Sequence, residues 1–361
     1  KPYKMISPRK LLNSFNKNNI NFFTGVPDSV LKNFTNLLPN KKNFVMANEG
    51  SSIGLAIGYF LKSKKIPLVY LQNSGLGNAI NPLISIAHKK VYSIPLLLLI
   101  GWRGAPRLND EPQHLAQGKV TKKFLKELDI KFILINNDND ILKVKKLISF
   151  SKKNSKPVAI LIKKGSIQEY KKKNIKNTFK LKRIDVIRFI LKNISNHCKI
   201  FSSTGYISRE LNHITEKESF SSRNFFYNIG GMGHTSAIAL GYSVFSKKKI
   251  LCLDGDGSML MHLGTLANIG NFAQKNFKHV LFNNGTHESV GGQSTNVNDI
   301  NFRDVTKGLK YKKFFKIKDQ KDLNLNFKKF IKCNGPALCE INIKNESIKN
   351  LGRPKNFILR K

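Results

Sequence analysis

An α/β fold in two halves is predicted, each half a mostly parallel sheet with helices on both faces and no third domain between them. Three observations predict it. Apolar runs of strand length alternate with helix-period stretches along the whole chain. A lysine-rich polar passage separates two such patterns. A Gly-Asp-Gly turn and an Asn-Asn pair stand one strand–helix–strand unit apart in the second half.

In the first half, Leu68-Val69-Tyr70, Leu96–Ile100 and Val158–Ile162 read as buried strands. Ile53 to Leu61 reads as an amphipathic helix, with apolar residues at 53, 56, 57, 60 and 61. An earlier strand ends before Asp28. The passage from Lys163 to about Lys182, containing Lys171-Lys172-Lys173-Asn174, reads as a linker or surface loop. In the second half an early strand precedes Ser203, and Ile250–Leu253, Val280–Phe282 and Leu338–Ile343 follow as core strands. Thr235 to Gly241 reads as a small-residue helix and Leu260 to Phe272 as one further helix. The expected domains are residues 1–165 and 183–361, with 166–182 as the connection.

Composition narrows the class. A chain of 361 residues, 40% hydrophobic, suits two ordinary domains with real cores. No apolar run approaches the roughly 18 residues that span a bilayer, and no signal-peptide apolar region follows the basic start. Cys198, Cys252, Cys333 and Cys339 form no Cys-x-x-Cys pair, so a reducing, cytoplasmic setting is expected rather than a disulfide framework or a zinc site. The net charge of +41 raises a nucleic-acid reading. Only 10 of the 63 basic residues are Arg, and no DNA-binding motif is present, so a solvated lysine surface is the expectation. Such a field still attracts a small anionic substrate.

Asp254-Gly255-Asp256-Gly257-Ser258 follows the Ile250–Leu253 strand, and 25 residues separate Gly257 from Asn283. Glycines let backbone approach a ligand, and the helix after Ser258 offers N–H groups to phosphate oxygens. Ligands collect at the carboxyl ends of strands in such sheets. Asp256, Asn284 and a backbone carbonyl near Thr286 are therefore candidates to share one Mg²⁺.

Gly255-Asp256-Gly257 with Asn283-Asn284 resembles the thiamine-diphosphate motif of the pyruvate decarboxylase and acetolactate synthase superfamily. The resemblance implies thiamine diphosphate and Mg²⁺ as cofactors. It makes Asp256, Asn284 and the Thr286 carbonyl the metal ligands, with Gly257 and Ser258 facing the diphosphate. Thr204, in Ser203-Thr204-Gly205, is either a second diphosphate contact or part of an ordinary turn. Gly230-Gly231-Met232-Gly233-His234 resembles the segment whose apolar residue wedges between the thiamine rings. Met232 is then the wedge, and the Gly230 carbonyl and Met232 N–H bind the aminopyrimidine edge. Asn48-Glu49-Gly50 resembles the superfamily's activating glutamate, whose carboxyl acts at the pyrimidine so that the thiazolium C2 proton can leave.

Further motifs narrow the resemblance to the phosphonopyruvate decarboxylase family and its near relative, the sulfopyruvate decarboxylases. They are Gly25-Val26-Pro27-Asp28-Ser29, Gln72-Asn73-Ser74-Gly75-Leu76-Gly77-Asn78, Gly101-Trp102-Arg103-Gly104, Asp110-Glu111-Pro112-Gln113-His114, and Asn284-Gly285-Thr286-His287-Glu288-Ser289 with Gly291-Gly292-Gln293. Gly231 and Asn283 depart from the family's commoner Ser and Asp. The implied reaction is non-oxidative decarboxylation of 3-phosphonopyruvate to phosphonoacetaldehyde. Sulfopyruvate is the alternative substrate. A homodimer at least, with sites at the subunit interface, also follows from the resemblance. No nucleic acid or membrane partner is expected.

Candidates for the acidic 2-oxo acid are Arg103 and His114, with Asn73 adding a hydrogen bond. Each has a plain alternative: Arg103 pairing with Asp110 or Glu111, His114 capping or packing, Asn73 serving a turn. Asp28 and His287 are candidates for proton handling, and Asp28 is equally placed to cap a helix before Ser29-Val30.

Overall fold

The computed structural model describes residues 5–170, 176–218, 220–221, 224–348 and 350–354. The chain divides into two units. One comprises residues 1–174 with 289–293, and the other residues 175–288 with 294–361.

The first unit carries strands β1 (Phe23–Gly25), β2 (Asn43–Val45), β3 (Leu68–Gln72), β4 (Leu97–Trp102), β5 (Lys131–Ile135) and β6 (Val158–Lys163). They pair in parallel in the order β2-β1-β3-β4-β6-β5. Its helices are α1 (Pro8–Lys17), α2 (Lys32–Thr35), α3 (Glu49–Ser63), α4 (Leu76–Pro82), α5 (Pro112–Glu127) and α6 (Lys143–Asn154). Alternate residues of the strands enter two separate cores. Leu68, Tyr70, Leu97, Leu99 and Ile160 pack with α1, α2 and α6, whereas Val69, Leu71, Leu98, Ile100 and Leu161 pack with α3, α4 and α5. That period-two split is how a sheet buries both faces, and it explains the near-continuous apolar runs.

The second unit contains α7 (Arg183–Asn193), β7 (Lys199–Ser202), α8 (Tyr206–Lys217), β8 (Phe225–Tyr227), α9 (Thr235–Val244) and β9 (Ile250–Gly255). It continues with α10 (Asp256–Met261), α11 (Thr265–Phe272), β10 (Phe277–Asn283), α12 (Phe302–Gly308), β11 (Lys313–Ile317), α13 (Gln320–Lys332) and β12 (Ala337–Asn342). The sheet is parallel in the order β11-β12-β10-β9-β7-β8. Leu251, Leu253, Val280 and Phe282 face α7, α8 and α13, while Cys252 and Leu281 face α9 and α11. The predicted fold class therefore holds in both halves.

One local expectation is corrected. The single helix expected over Leu260–Phe272 is two helices. The chain leaves the helical region at His262 (φ −134°, ψ 52°), whose ring stacks on His234 with centroids 4.4 Å apart. It re-enters through tight turns in which Thr265 and Leu266 donate to His262 and Leu263. The connection expected over 166–182 is anchored at both ends. Ile6 N–H donates to the Ser166 carbonyl, and Leu181 bridges to Ile343. Lys171-Lys172-Lys173-Asn174 within it lies outside the described residues.

Candidate active site

In the second unit, the carboxyl ends of β7, β9 and β10 gather the predicted cofactor residues. Ser258, in the first turn of α10, is the organising group. Its Oγ accepts from the Gly233 N–H (3.1 Å) and from Ser203 Oγ (3.0 Å), which draws the Met232 loop and the Ser203-Thr204 turn to the start of α10. Gly257 lies against the His287 ring and the Met232 methyl. A Cβ there would come within 2.8 Å of His287 Cε1 and 3.4 Å of Met232 Cε. Met232, Gly257, Ser258 and His287 are thus neighbours although the chain separates them widely. Thr204 and Gly230 are half-buried on the same rim. His287 is buried, and burial pushes its pKa down to about 4, so its imidazole is neutral at pH 7.

Asp256 is buried in the same corner. Its Oδ1 accepts from Gly257 N–H (2.9 Å), and Oδ2 accepts from Gly285 N–H (2.8 Å) and Thr295 Oγ1 (2.9 Å). Burial pushes its pKa up to about 6 against these bonds. Asn284 Oδ1 accepts from the Thr286 N–H at 3.0 Å. Asn283 diverges from its neighbour. Its Nδ2 donates to Glu340 Oε1 on β12 (2.9 Å) and its Oδ1 accepts from Gly285 N–H (3.1 Å). Asn283 thus braces the loop. Behind this corner, His279 Nε2 faces Asp254 Oδ2 at 3.6 Å and His279 Nδ1 meets the Tyr311 hydroxyl at 3.3 Å. Cys252 joins them on the same sheet face. All are buried, and Asp254 Oδ2 and His279 Nε2 make no hydrogen bond among the described residues.

In the first unit, a second cluster forms at the carboxyl ends of β1, β3 and β4. Glu49 opens α3, whose N-cap Asn48 accepts from Gly50 N–H at 2.7 Å. Its carboxyl is buried, with Oε2 accepting from Asn78 Nδ2 at 2.7 Å and Oε1 lying against Gly75. Burial raises its pKa, opposed by the Asn78 bond.

Arg103 is gripped by Asp110 along one guanidinium edge, Nε donating to Oδ2 at 2.6 Å and Nη2 to Oδ1, and it donates from Nη1 to Ser29 Oγ at 3.2 Å. Burial works against the Asp110 carboxylate, but Arg103 and the Gly104 and Glu111 amides outweigh it and hold its pKa well below the usual range. The pairing left open by the sequence is thus the one adopted. Lys164, unforeseen, stands 3.9 Å from Asp110 Oδ1. His114 sits in the first turn of α5, which starts beside this pair.

Of the two readings left open for Asn73, a substrate hydrogen bond or a structural role, its hydrogen bonds follow the structural one. Its Nδ2 donates to the Arg103 carbonyl (3.0 Å) and Thr121 Oγ1 (2.9 Å), and its Oδ1 accepts from Arg103 N–H (3.0 Å). A buried amide so committed has its hydrogen-bonding capacity almost filled by protein.

Comparison with known proteins agrees with this arrangement. Residues 9–143 match the thiamine pyrophosphate enzyme N-terminal TPP binding domain, and residues 203–341 the C-terminal TPP binding domain. Phosphonopyruvate decarboxylase of Streptomyces viridochromogenes is 29% identical over 353 residues, which span 92% of this chain and 87% of that one. Sulfopyruvate decarboxylase subunit alpha of Methanococcus maripaludis is 34% identical over 147 residues, spanning 40% of this chain and 86% of the subunit. Sulfopyruvate decarboxylase of Methanosarcina acetivorans is 26% identical over 317 residues, 81% of this chain and 79% of that one. The chain belongs to the thiamine pyrophosphate enzyme family.

Within that family the relatives matching along the whole chain are decarboxylases, and the protein is a carboxy-lyase. No helix among the described residues is long and apolar enough to cross a membrane. The residues present fit the family's cofactor and metal. Asp256 and Asn284 offer hard oxygen donors, the set that suits Mg²⁺ and not a soft metal. The Asp256 partners are neutral N–H and O–H donors, so a cation meets no competing positive group among them.

Asp28 takes the capping role that its sequence context allowed. Its Oδ2 caps the following turn, accepting from Val30 N–H (3.1 Å) and Leu31 N–H (3.0 Å), while Oδ1 is buried without a hydrogen-bond partner among the described residues. Burial pushes its pKa up to about 6, opposed by those amides and by Arg103. Its ionised form is therefore held at a cost in stability. Its folded pKa exceeds the unfolded value near ~3.9, so its contribution is favourable below about pH 4 and is lost as pH rises through about 6. Asp28→Asn keeps the capping oxygen and removes the charge. It is expected to be more stable than wild type at pH 8, by up to about 3 kcal/mol, with the gap closing towards pH 4. Urea midpoints at both pH values measure this; a gap independent of pH would refute it.

Proposed function

We propose that this protein catalyses the thiamine-diphosphate- and Mg²⁺-dependent, non-oxidative decarboxylation of 3-phosphonopyruvate to phosphonoacetaldehyde and carbon dioxide. The observation that carries the reading is the end-to-end match to single-chain phosphonopyruvate decarboxylases, with a buried glutamate and an Asp/Asn oxygen pair in the matching domains. Bound thiamine diphosphate would supply the electron sink for the pair released as carbon dioxide leaves. Asp256, Asn284 and the Thr286 carbonyl would hold the Mg²⁺, and Gly257, Ser258 and Thr204 would line the diphosphate. Met232 and the Gly230 carbonyl would set the cofactor's shape and pyrimidine edge.

Glu49 is the proton-handling group of the first unit. Burial raises its pKa, which favours the protonated carboxyl that would exchange a proton with a bound ring nitrogen. Neutral His287 and the Asp28 carboxyl are the groups assigned to moving a proton at the reacting carbons. Arg103 and Lys164 flank Asp110, leaving that cluster one net positive charge to meet an anionic tail, with His114 beside it. We assign the chain to a homodimer or larger assembly. Ile238, Tyr242 and Val244 of α9, with the following Phe245, form an exposed apolar strip suited to a second copy.

Sulfopyruvate is the second reading, favoured by the relative from Methanosarcina acetivorans, which is also a sulfopyruvate decarboxylase matching most of the chain. A panel of 2-oxo acids with Mg²⁺ and thiamine diphosphate separates the two. The expected result is kcat/KM at least about tenfold higher for phosphonopyruvate, about 1.4 kcal/mol of discrimination. Preference for sulfopyruvate would overturn the substrate assignment, and sedimentation of the same active sample as a monomer would overturn the assembly.

A further inference from the structure

The segment that leads into α7 meets Asn284 once directly and once through Glu288, in the loop that follows β10. Asn177 Nδ2 donates to the Asn284 main-chain carbonyl at 2.9 Å and to the Ile343 carbonyl at 3.0 Å. The Asn177 N–H in turn donates to Asn345 Oδ1 at 3.0 Å, which fixes it against the end of β12. The second contact runs through charge. Arg183, at the first position of α7, is almost fully buried. Its Nε and Nη2 donate to Glu210 at 3.0 and 3.2 Å, and its Nη1 donates to Glu288 Oε2 at 3.0 Å. The same Glu288 oxygen accepts from Asn284 Nδ2 at 3.0 Å. Burial works against the Arg183 charge, and Glu210 and Glu288 more than offset it, so the guanidinium is held firmly cationic.

We infer that Asn177, Arg183 and Glu288 form a clamp that positions Asn284 for cation binding. The inference rests on the reading of Asn284 as a metal ligand. An asparagine amide is nearly symmetric in shape, and either end can face a cation unless a partner sorts them. Glu288 accepts hydrogen bonds only, so it selects Nδ2 and turns Oδ1 to the opposite side. Arg183 holds the Glu288 carboxylate in place and keeps its charge balanced. Asn177 does the corresponding work on the backbone, fixing the carbonyl of the residue whose side chain Glu288 sorts. Buried partners of this kind orient metal ligands, and their loss commonly weakens metal affinity about 10- to 100-fold. Each of the three is a positioning residue, because none is asked to touch metal or substrate.

The test is Mn²⁺ binding to the full-length protein with thiamine diphosphate, followed by electron paramagnetic resonance. Four variants are compared: Glu288→Ala, Glu288→Gln, Asn177→Ala and, as control, Asn284→Ala. Circular dichroism and melting check that each is folded. Glu288→Ala is expected to weaken Mn²⁺ about 10- to 100-fold, and Asn177→Ala about tenfold. Glu288→Gln should recover most of the affinity, since its amide oxygen still accepts from Asn284 Nδ2 and Arg183 keeps Glu210. At saturating Mn²⁺ and cofactor, kcat and substrate KM should return close to wild type, which a general loss of structure would not allow. If Asn284→Ala loses Mn²⁺ while Glu288→Ala and Asn177→Ala keep wild-type affinity, the clamp is wrong. If Asn284→Ala itself binds Mn²⁺ normally, the ligand reading fails instead. Should Glu288→Ala not fold, Asn177→Ala decides: wild-type affinity there overturns the clamp.

Discussion

Glu49→Gln is expected to lower kcat by about 10²- to 10⁴-fold while the protein stays folded and still binds thiamine diphosphate. The substituted amide keeps the size of the side chain and one oxygen for the Asn78 bond, so packing around α3 is preserved. What it loses is the ability to gain and release a proton. The raised pKa of Glu49 comes from burial, and the same burial keeps water from replacing the carboxyl. Exchange of the cofactor's C2 proton with deuterium, measured without substrate, should slow in parallel with turnover. Normal exchange in Glu49→Gln would remove Glu49 from the mechanism. A companion variant probes position separately from chemistry. Any Cβ at Gly75 overlaps the Glu49 carboxyl, so Gly75→Ala must displace it. The displaced group is the far end of a side chain, so Gly75→Ala should lower exchange and kcat with only a small loss of stability.

Asp256→Ala is expected to abolish the stabilisation that Mg²⁺ and thiamine diphosphate give together. In wild type, cofactor at about 100 times its Kd adds about 2.7 kcal/mol to the native state and raises Tm by a few degrees. Asp256 is the only formal charge in the donor set of Asp256, Asn284 and the Thr286 carbonyl, so its loss removes the main attraction for the cation. The Kd for Mg²⁺-thiamine diphosphate should rise at least about 100-fold, with activity falling in step. Thermal melts with and without the cofactors measure both proteins on one scale. A variant whose Tm still rises as in wild type would show that Asp256 does not hold the metal.

The parts of the site legible in the sequence are those built from neighbouring residues. Asp256-Gly257-Ser258 sits at a strand-to-helix corner because an apolar run ends in glycines, and that signal is local. The same holds for Glu49, placed by an Asn cap and an amphipathic helix. Six strands were visible as apolar runs. β1 was placed as an early strand before Asp28, whereas β2 and β8 were not readable as strands because three residues show no period. β5 and β11 are edge strands with partly exposed faces, so their sequences mix Lys with apolar residues. Glu288 and Asn177 left no signal of their own. An acidic residue in a loop and an asparagine in a connecting segment are ordinary until pairing brings them to Asn284. Arg183 is similar, since a basic residue at a helix start reads as surface.

The sequence by itself determined the fold class, the cofactor family and which short segments carry the chemistry. These depend on hydrophobic period and on motifs a few residues long. Tertiary structure alone decided what each polar side chain in those segments does. Asn283 and Asn284 are adjacent and chemically identical, yet one braces β12 and the other turns to the site. Asn73 ties β3 to β4, and Arg103 is held by Asp110. The physical reason is the same in each case. A buried polar group must find partners, and which partners are within reach is set by strand order and register, which join residues far apart in the chain.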